Sequence, residues 1–206
     1  MSLEPAMEPR RRGRFESLRL FLRHGAGERA MAATEFALIL PVALVMFTGS
    51  LIYGTASEVN RKVTLTARDV TDLVTQYTSI NTADMTTLIN SAAQVMSPFS
   101  TANTTVVISD VTVLANGTGT IEWSVAMSGS GLPVGQTVTL PANIQAIPAI
   151  AGQAQINIIW GHVAYVYTPT IGYQLTGPIT LYDDIYLTPR LSADVQYPSA
   201  TGVSTP

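Results

Sequence analysis

Twenty-one consecutive positions, Phe36 to Ala56, carry no charged side chain. That run is close to the ~20 apolar residues that cross a bilayer core as a helix. Beyond it the pattern turns amphipathic. Val59, Val63, Ala67, Val70, Val74 and Tyr77 follow one another at spacings of 4, 4, 3, 4 and 3, which is one apolar stripe on a continuing helix. Met85, Leu88, Ile89, Ala92 and Met96 form a second apolar face, with a break at Asn81-Thr82 and a stop at Pro98. Threonines at 71, 75, 78, 82, 86 and 87 lower helix propensity, so this region depends on packing for its stability.

From residue 104 the period changes to two. Thr105, Val107 and Ser109 alternate with Val106 and Ile108; the pattern leads through Val113 to a turn at Asn116-Gly117 and returns through Ile121 to Met127. This predicts a β-hairpin. Further strands are predicted at Gln136 to Leu140, Ala154 to Tyr167 and Thr180 to Leu187, separated by Gly and Pro steps such as Leu132-Pro133-Val134-Gly135 and Gly177-Pro178. The fold class is therefore α+β: a long N-terminal transmembrane helix continues into an exported helix packed on a small antiparallel sheet. The expected divisions are a leader over 1–30, a membrane helix over 31–56, an exported helical segment over 57–98, a β-rich domain over 99–197 and an unstructured Ser/Thr/Pro-rich tail over 198–206.

Charge placement orients this scheme. The net charge of −3 conceals that seven of eleven basic residues, Arg10, Arg11, Arg12, Arg14, Arg19, Arg23 and Arg29, precede the apolar run. A basic block directly before a span is the flank that stays inside, a simpler role than a nucleic-acid arm. The expected topology is single-pass, N-terminus cytoplasmic and C-terminal domain exported. Between Arg14 and His24, Phe15, Leu18, Phe21 and Leu22 stand at helical spacing, suited to the inner membrane surface. The alternative of a cleaved signal peptide ending at Gly54-Thr55-Ala56 conflicts with the length of the apolar run and with the stripe beyond it.

Two residues modify the span. Pro41 cannot donate to the carbonyl of Ala37, which predicts a kink or local loosening. Glu35 stands at the edge of the hydrocarbon, where an unpaired carboxylate costs on the order of 2–3 kcal/mol or more. It sits either at headgroup level beside Arg29 or against a cation from another helix.

The chemistry-bearing residues are sparse. There is no cysteine, which removes disulfides, thiolate metal sites and a thiol nucleophile. His24 and His162 are isolated from one another, and Asp183-Asp184, the one adjacent carboxylate pair, would point to opposite faces of a strand, as at a turn or solvated edge. No catalytic residues, metal or cofactor are expected. Trp123, Trp160 and the tyrosines at 165, 167, 173, 182 and 186 suit either a core and subunit interface or a glycan-binding face.

The run Ala30-Met31-Ala32-Ala33-Thr34-Glu35-Phe36-Ala37-Leu38-Ile39-Leu40-Pro41, placed after an Arg-rich leader and before an apolar helix, resembles the TadE/TadG-like family of Tad (Flp) pilus minor pilins and pseudopilins. The likeness covers about residues 27 to 54. Tyr165-Val166-Tyr167-Thr168-Pro169 and Ile185-Tyr186-Leu187-Thr188-Pro189-Arg190 are similar to the family's C-terminal patterns. The resemblance implies a non-enzymatic structural subunit of the bacterial inner membrane, carried into the pilus or kept at its base. It also implies prepilin-peptidase processing between Ala30 and Met31, with Ala30 where the family has glycine, and an intramembrane assembly role for Glu35. The implied partners are the peptidase, a Flp-type major pilin, a TadE-like subunit and the assembly platform. Nucleic acid is not among them. The alternatives of another class are a membrane-tethered binding module and an exported hydrolase.

Overall fold

A computed structural model describes residues 13–198 except 129, 171 and 172, together with Val203–Ser204; side chains are described from residue 30 to 198, apart from those three positions, 149 and 175. The Arg-rich residues 1–12 lie outside it. The chain divides after Ser50 into two compact units. In the first, helix α1 (Gly13–Thr75) is helical without interruption through Pro41. The side chains from Ala30 to Met46 are exposed, Leu38 at 79% and Met46 at 71%. From Ala30 onward α1 is long and apolar enough to cross a membrane, with none of its most apolar window buried against protein.

The second unit begins at Leu51 and is α+β. Its part of α1 buries Val59, Val63, Ala67, Val70 and Val74 completely, the stripe that the 4-4-3-4 spacing predicts. Each of the four valines contributes about 1.5–3 kcal/mol relative to exposure. Tyr77 falls beyond the end of α1 and is half-buried. Helix α2 (Thr82–Met96) starts where the sequence predicts a break: Asn81 Oδ1 accepts from the Asp84 N–H at 2.9 Å and its Nδ2 donates to Asp84 Oδ2 at 2.8 Å, satisfying an orphan donor of the first turn. At the other end, Lys62 Nζ on α1 donates to the carbonyls of Val95 (3.2 Å) and Ser97 (2.6 Å). That places a cation at the negative end of α2.

Five strands form a curled antiparallel sheet: β1 (Thr104–Leu114), β2 (Gly119–Ala126), β3 (Thr137–Val138), β4 (Gln155–Tyr167) and β5 (Ile179–Leu187), in the order β3-β2-β1-β4-β5. The β1–β2 turn carries Gly117 at φ 83°, a conformation open to glycine without steric cost. Between Asp110 and Val111 the register with β2 shifts, because Glu122 is an extra residue: Asp110 opposes Trp123 while Val111 opposes Ile121. This β-bulge sends Trp123 to one face and Ile121 to the other.

The sheet is consequently covered on both faces, not only by the helix as the sequence reading expects. One core joins α1 and α2 to Ile108, Trp123, Ile159 and Val163. The second joins Val111, Ile121 and Ile158 to Leu140 and Ile144, carried by the segment of short helices α3 (Ala142–Gln145) and α4 (Ile147–Ala151). The strand predicted over Gln136 to Leu140 is reduced to Thr137–Val138, since Pro141 follows at the entry of α3 and proline cannot donate to a ladder. Within the tail expected to be unstructured, Val203–Ser204 pairs in parallel with Val125 and Ala126 of β2; residues 199–202 and 205–206 lie outside the described residues.

Candidate functional site

Three places hold the candidate chemistry. The first is the start of the apolar segment. Ala30, Met31 and Glu35 are all helical and exposed, and Thr34 Oγ1 donates to the Met31 carbonyl at 2.8 Å. Neither of the two ion pairs among the described residues involves Glu35; the side chain of Arg29 lies outside the described residues. Pro41 follows six residues later on the same helix.

The second place is the outer face of β4 and β5, where the register brings together what the sequence reading leaves apart. His162 is the cross-strand partner of Asp184, and Trp160 of Tyr186. Asp184 Oδ1 lies 2.8 Å from His162 Nδ1 and accepts from Trp160 Nε1, also at 2.8 Å. Tyr186 stacks on Trp160 at 5.9 Å between ring centroids, and Tyr182, 63% exposed, tilts against His162 at 6.1 Å. Burial, then the charge of Asp184, pushes the Tyr186 phenol up to about 12, so it stays protonated across the neutral range. Asp183 and Asp184 do occupy opposite faces, and they lie on β5, an edge strand of the sheet, not at a turn. The aromatics do not share one face: Trp123 and Tyr165 are buried under the helices, while Trp160, Tyr182 and Tyr186 lie on the opposite side. The signal for this cluster is alternation, since Trp160 and His162 are two apart, as are Tyr182, Asp184 and Tyr186. Only pairing register unites the two sets. His162 makes no hydrogen bond to a hydroxyl among the described residues.

The third place is a cleft of about 470 Å³ lined by Asp110, Glu122, Asn157 and Asp194. Asp110 is 2% exposed. Burial, then the like charges of Asp194 and Glu122, raise its carboxyl to about 7, against the opposing effect of hydrogen bonds from Asn157 and the Val195 backbone. Its Oδ1 has no hydrogen-bond partner. Among the described residues no group of three or more His, Cys, Asp or Glu side chains is placed to hold a metal ion.

Together these features define an α+β protein with a long N-terminal apolar helix suited to a single membrane anchor. No family model, curated protein or solved structure matches the chain.

Proposed function

We propose that this chain is a non-enzymatic structural subunit of minor-pilin or pseudopilin type, acting in assembly of a Tad-like pilus at the bacterial inner membrane. The observation that carries the reading is the start of the apolar helix. A carboxylate, Glu35, opens a segment of 21 uncharged residues whose side chains from Phe36 to Met46 are exposed. Such a surface is suited to lipid and to neighbouring helices, and a carboxylate at its edge is stabilised by a cation that a neighbour supplies. The likeness over residues 27–54 supplies the family. In this reading the leader arginines stay in the cytoplasm, the sheet domain is exported, and the partners are other pilin-like helices, the prepilin peptidase and the assembly platform.

A membrane-tethered binding module is the second reading, favoured by the Tyr182, His162 and Asp184 surface on the outer sheet face. Glu35 separates the two. In membranes at equal protein level, Glu35→Gln should leave insertion intact, since the desolvation cost of the carboxylate disappears, while cross-linking to partner pilins falls about tenfold, corresponding to ~1.4 kcal/mol. Unchanged partner yield would remove the assembly reading and leave the binding module.

A further inference from the structure

The segment from Thr188 to Tyr197 follows β5 and closes over one end of the sheet. Its ties are specific. The Arg190 N–H donates to the Thr75 carbonyl at 2.9 Å, and its guanidinium pairs with Asp72 at the end of α1. Val195 is buried in the helix-side core, and its carbonyl accepts from Trp123 Nε1 at 2.7 Å. Gln196 donates to the Thr78 carbonyl (3.1 Å) and accepts from the Ile80 N–H (2.9 Å), bridging to the α1–α2 connection. Tyr197 packs on Trp123 at 5.4 Å. The strap thus joins β2, α1 and the helix connection around one apolar plug, Val195.

Beneath that plug sits Asp110. From β2 it faces Glu122; from the strap, Asp194 and the Val195 backbone; from β4, only the neutral Asn157. No basic side chain lines the cleft among the described residues. Thr112 Oγ1, 2.8 Å from Glu122 Oε1 and 3.2 Å from Asn157 Oδ1, ties the neighbouring polar groups to one another and not to Asp110. An ionised Asp110 would therefore be a buried charge with one oxygen unpaired, crowded by two carboxylates and opposed by no cation. A buried charge of that kind is strongly disfavoured against the neutral carboxyl. Opening the strap is the nearest relief, since it admits water to Asp110 and removes Asp194 at once.

We propose that Asp110 is a proton-operated latch on the 188–197 strap: the neutral carboxyl seats the strap on the sheet, and the ionised carboxylate releases it. The latch makes the C-terminal part of the domain responsive to the surrounding pH. It does not depend on the pilin reading.

Hydrogen exchange of the full chain in detergent micelles tests it, with protection corrected for the intrinsic pH dependence of amide exchange. Between about pH 5.5 and about pH 8.5 the wild-type amides of 190–197 should lose at least about tenfold in protection. They should exchange faster than the β1 amides throughout, as an opening smaller than global unfolding requires. Asp110→Asn should hold its protection at both pH values. Wild-type protection independent of pH, an equal loss in Asp110→Asn, or strap and β1 amides exchanging at one rate would each overturn the latch. If Asp110→Asn does not fold, Asp194→Asn decides: with one repelling carboxylate gone, a smaller loss than wild type supports the latch, and an undiminished loss overturns it.

Discussion

Thr71 on α1 lies directly over Gly161 on β4: a Cβ at residue 161 would overlap Thr71 Oγ1 and come within 3.4 Å of the Ala67 carbonyl. The glycine is needed because helix and sheet meet there backbone to side chain. Thr71 Oγ1 is itself committed, donating to the Ala67 carbonyl at 2.6 Å. Helix α1 thus seats at one fixed point of the central sheet, with Ala67 and Val70 buried around it.

Gly161→Ala should therefore destabilise the sheet domain by about 1–3 kcal/mol through overpacking. In the double variant with Thr71→Ala the overlapping hydroxyl is gone, and most of that loss should return. Denaturant unfolding of the four-member cycle measures the coupling. Strictly additive effects would mean that α1 does not seat on Gly161.

Trp123→Phe keeps most of the buried ring but removes the Nε1 donor to the Val195 carbonyl. Leaving that buried carbonyl unpaired should cost about 1–3 kcal/mol, and the loss of protection should concentrate on the strap. A variant as stable as wild type, with the strap equally protected, would show that the bond contributes nothing.

Stability should depend on pH through Asp110. Its carboxyl titrates at about 7 in the folded protein against 3.8 ordinarily. Between those values the native state holds a proton that the unfolded chain has lost. The contribution is complete below about pH 4, declines as pH rises, and is gone above about pH 7, a change on the order of 2–4 kcal/mol. Unfolding free energies across that range should slope downward for wild type and stay flatter for Asp110→Asn. Parallel profiles would assign the slope to other groups.

Processing at the proposed site should yield a chain beginning at Met31, with 176 residues, four basic and ten acidic side chains. Intact mass and N-terminal sequencing of membrane-extracted protein read this directly, and Ala30→Gly should raise the cleaved fraction. Intact Met1 in the presence of an active peptidase would establish a permanent anchor, while a start at Ser57 would indicate a signal peptide. That last cut would fall inside α1, which runs on to Thr75.

Local pattern decided much of the fold by itself. The uncharged run at Phe36–Ala56, the stripe from Val59 to Val74, the break at Asn81-Thr82 and the Asn116-Gly117 turn each follow from periodicity or from one residue's chemistry, which neighbours in sequence express without help. Tertiary structure decided the rest, because it depends on pairing across the sheet. Strict alternation would place Ile121 and Trp123 on one face, whereas the bulge at Glu122 sends them to opposite cores. A bulge is an extra residue relative to a partner strand, so it is invisible until β1 is paired with β2. The same holds for His162 with Asp184, 22 positions apart, and for Asp110 with Asp194. Their proximity is a matter of register and of where the strap returns, and a carboxyl's proton affinity is set by those neighbours, not by its own place in the sequence.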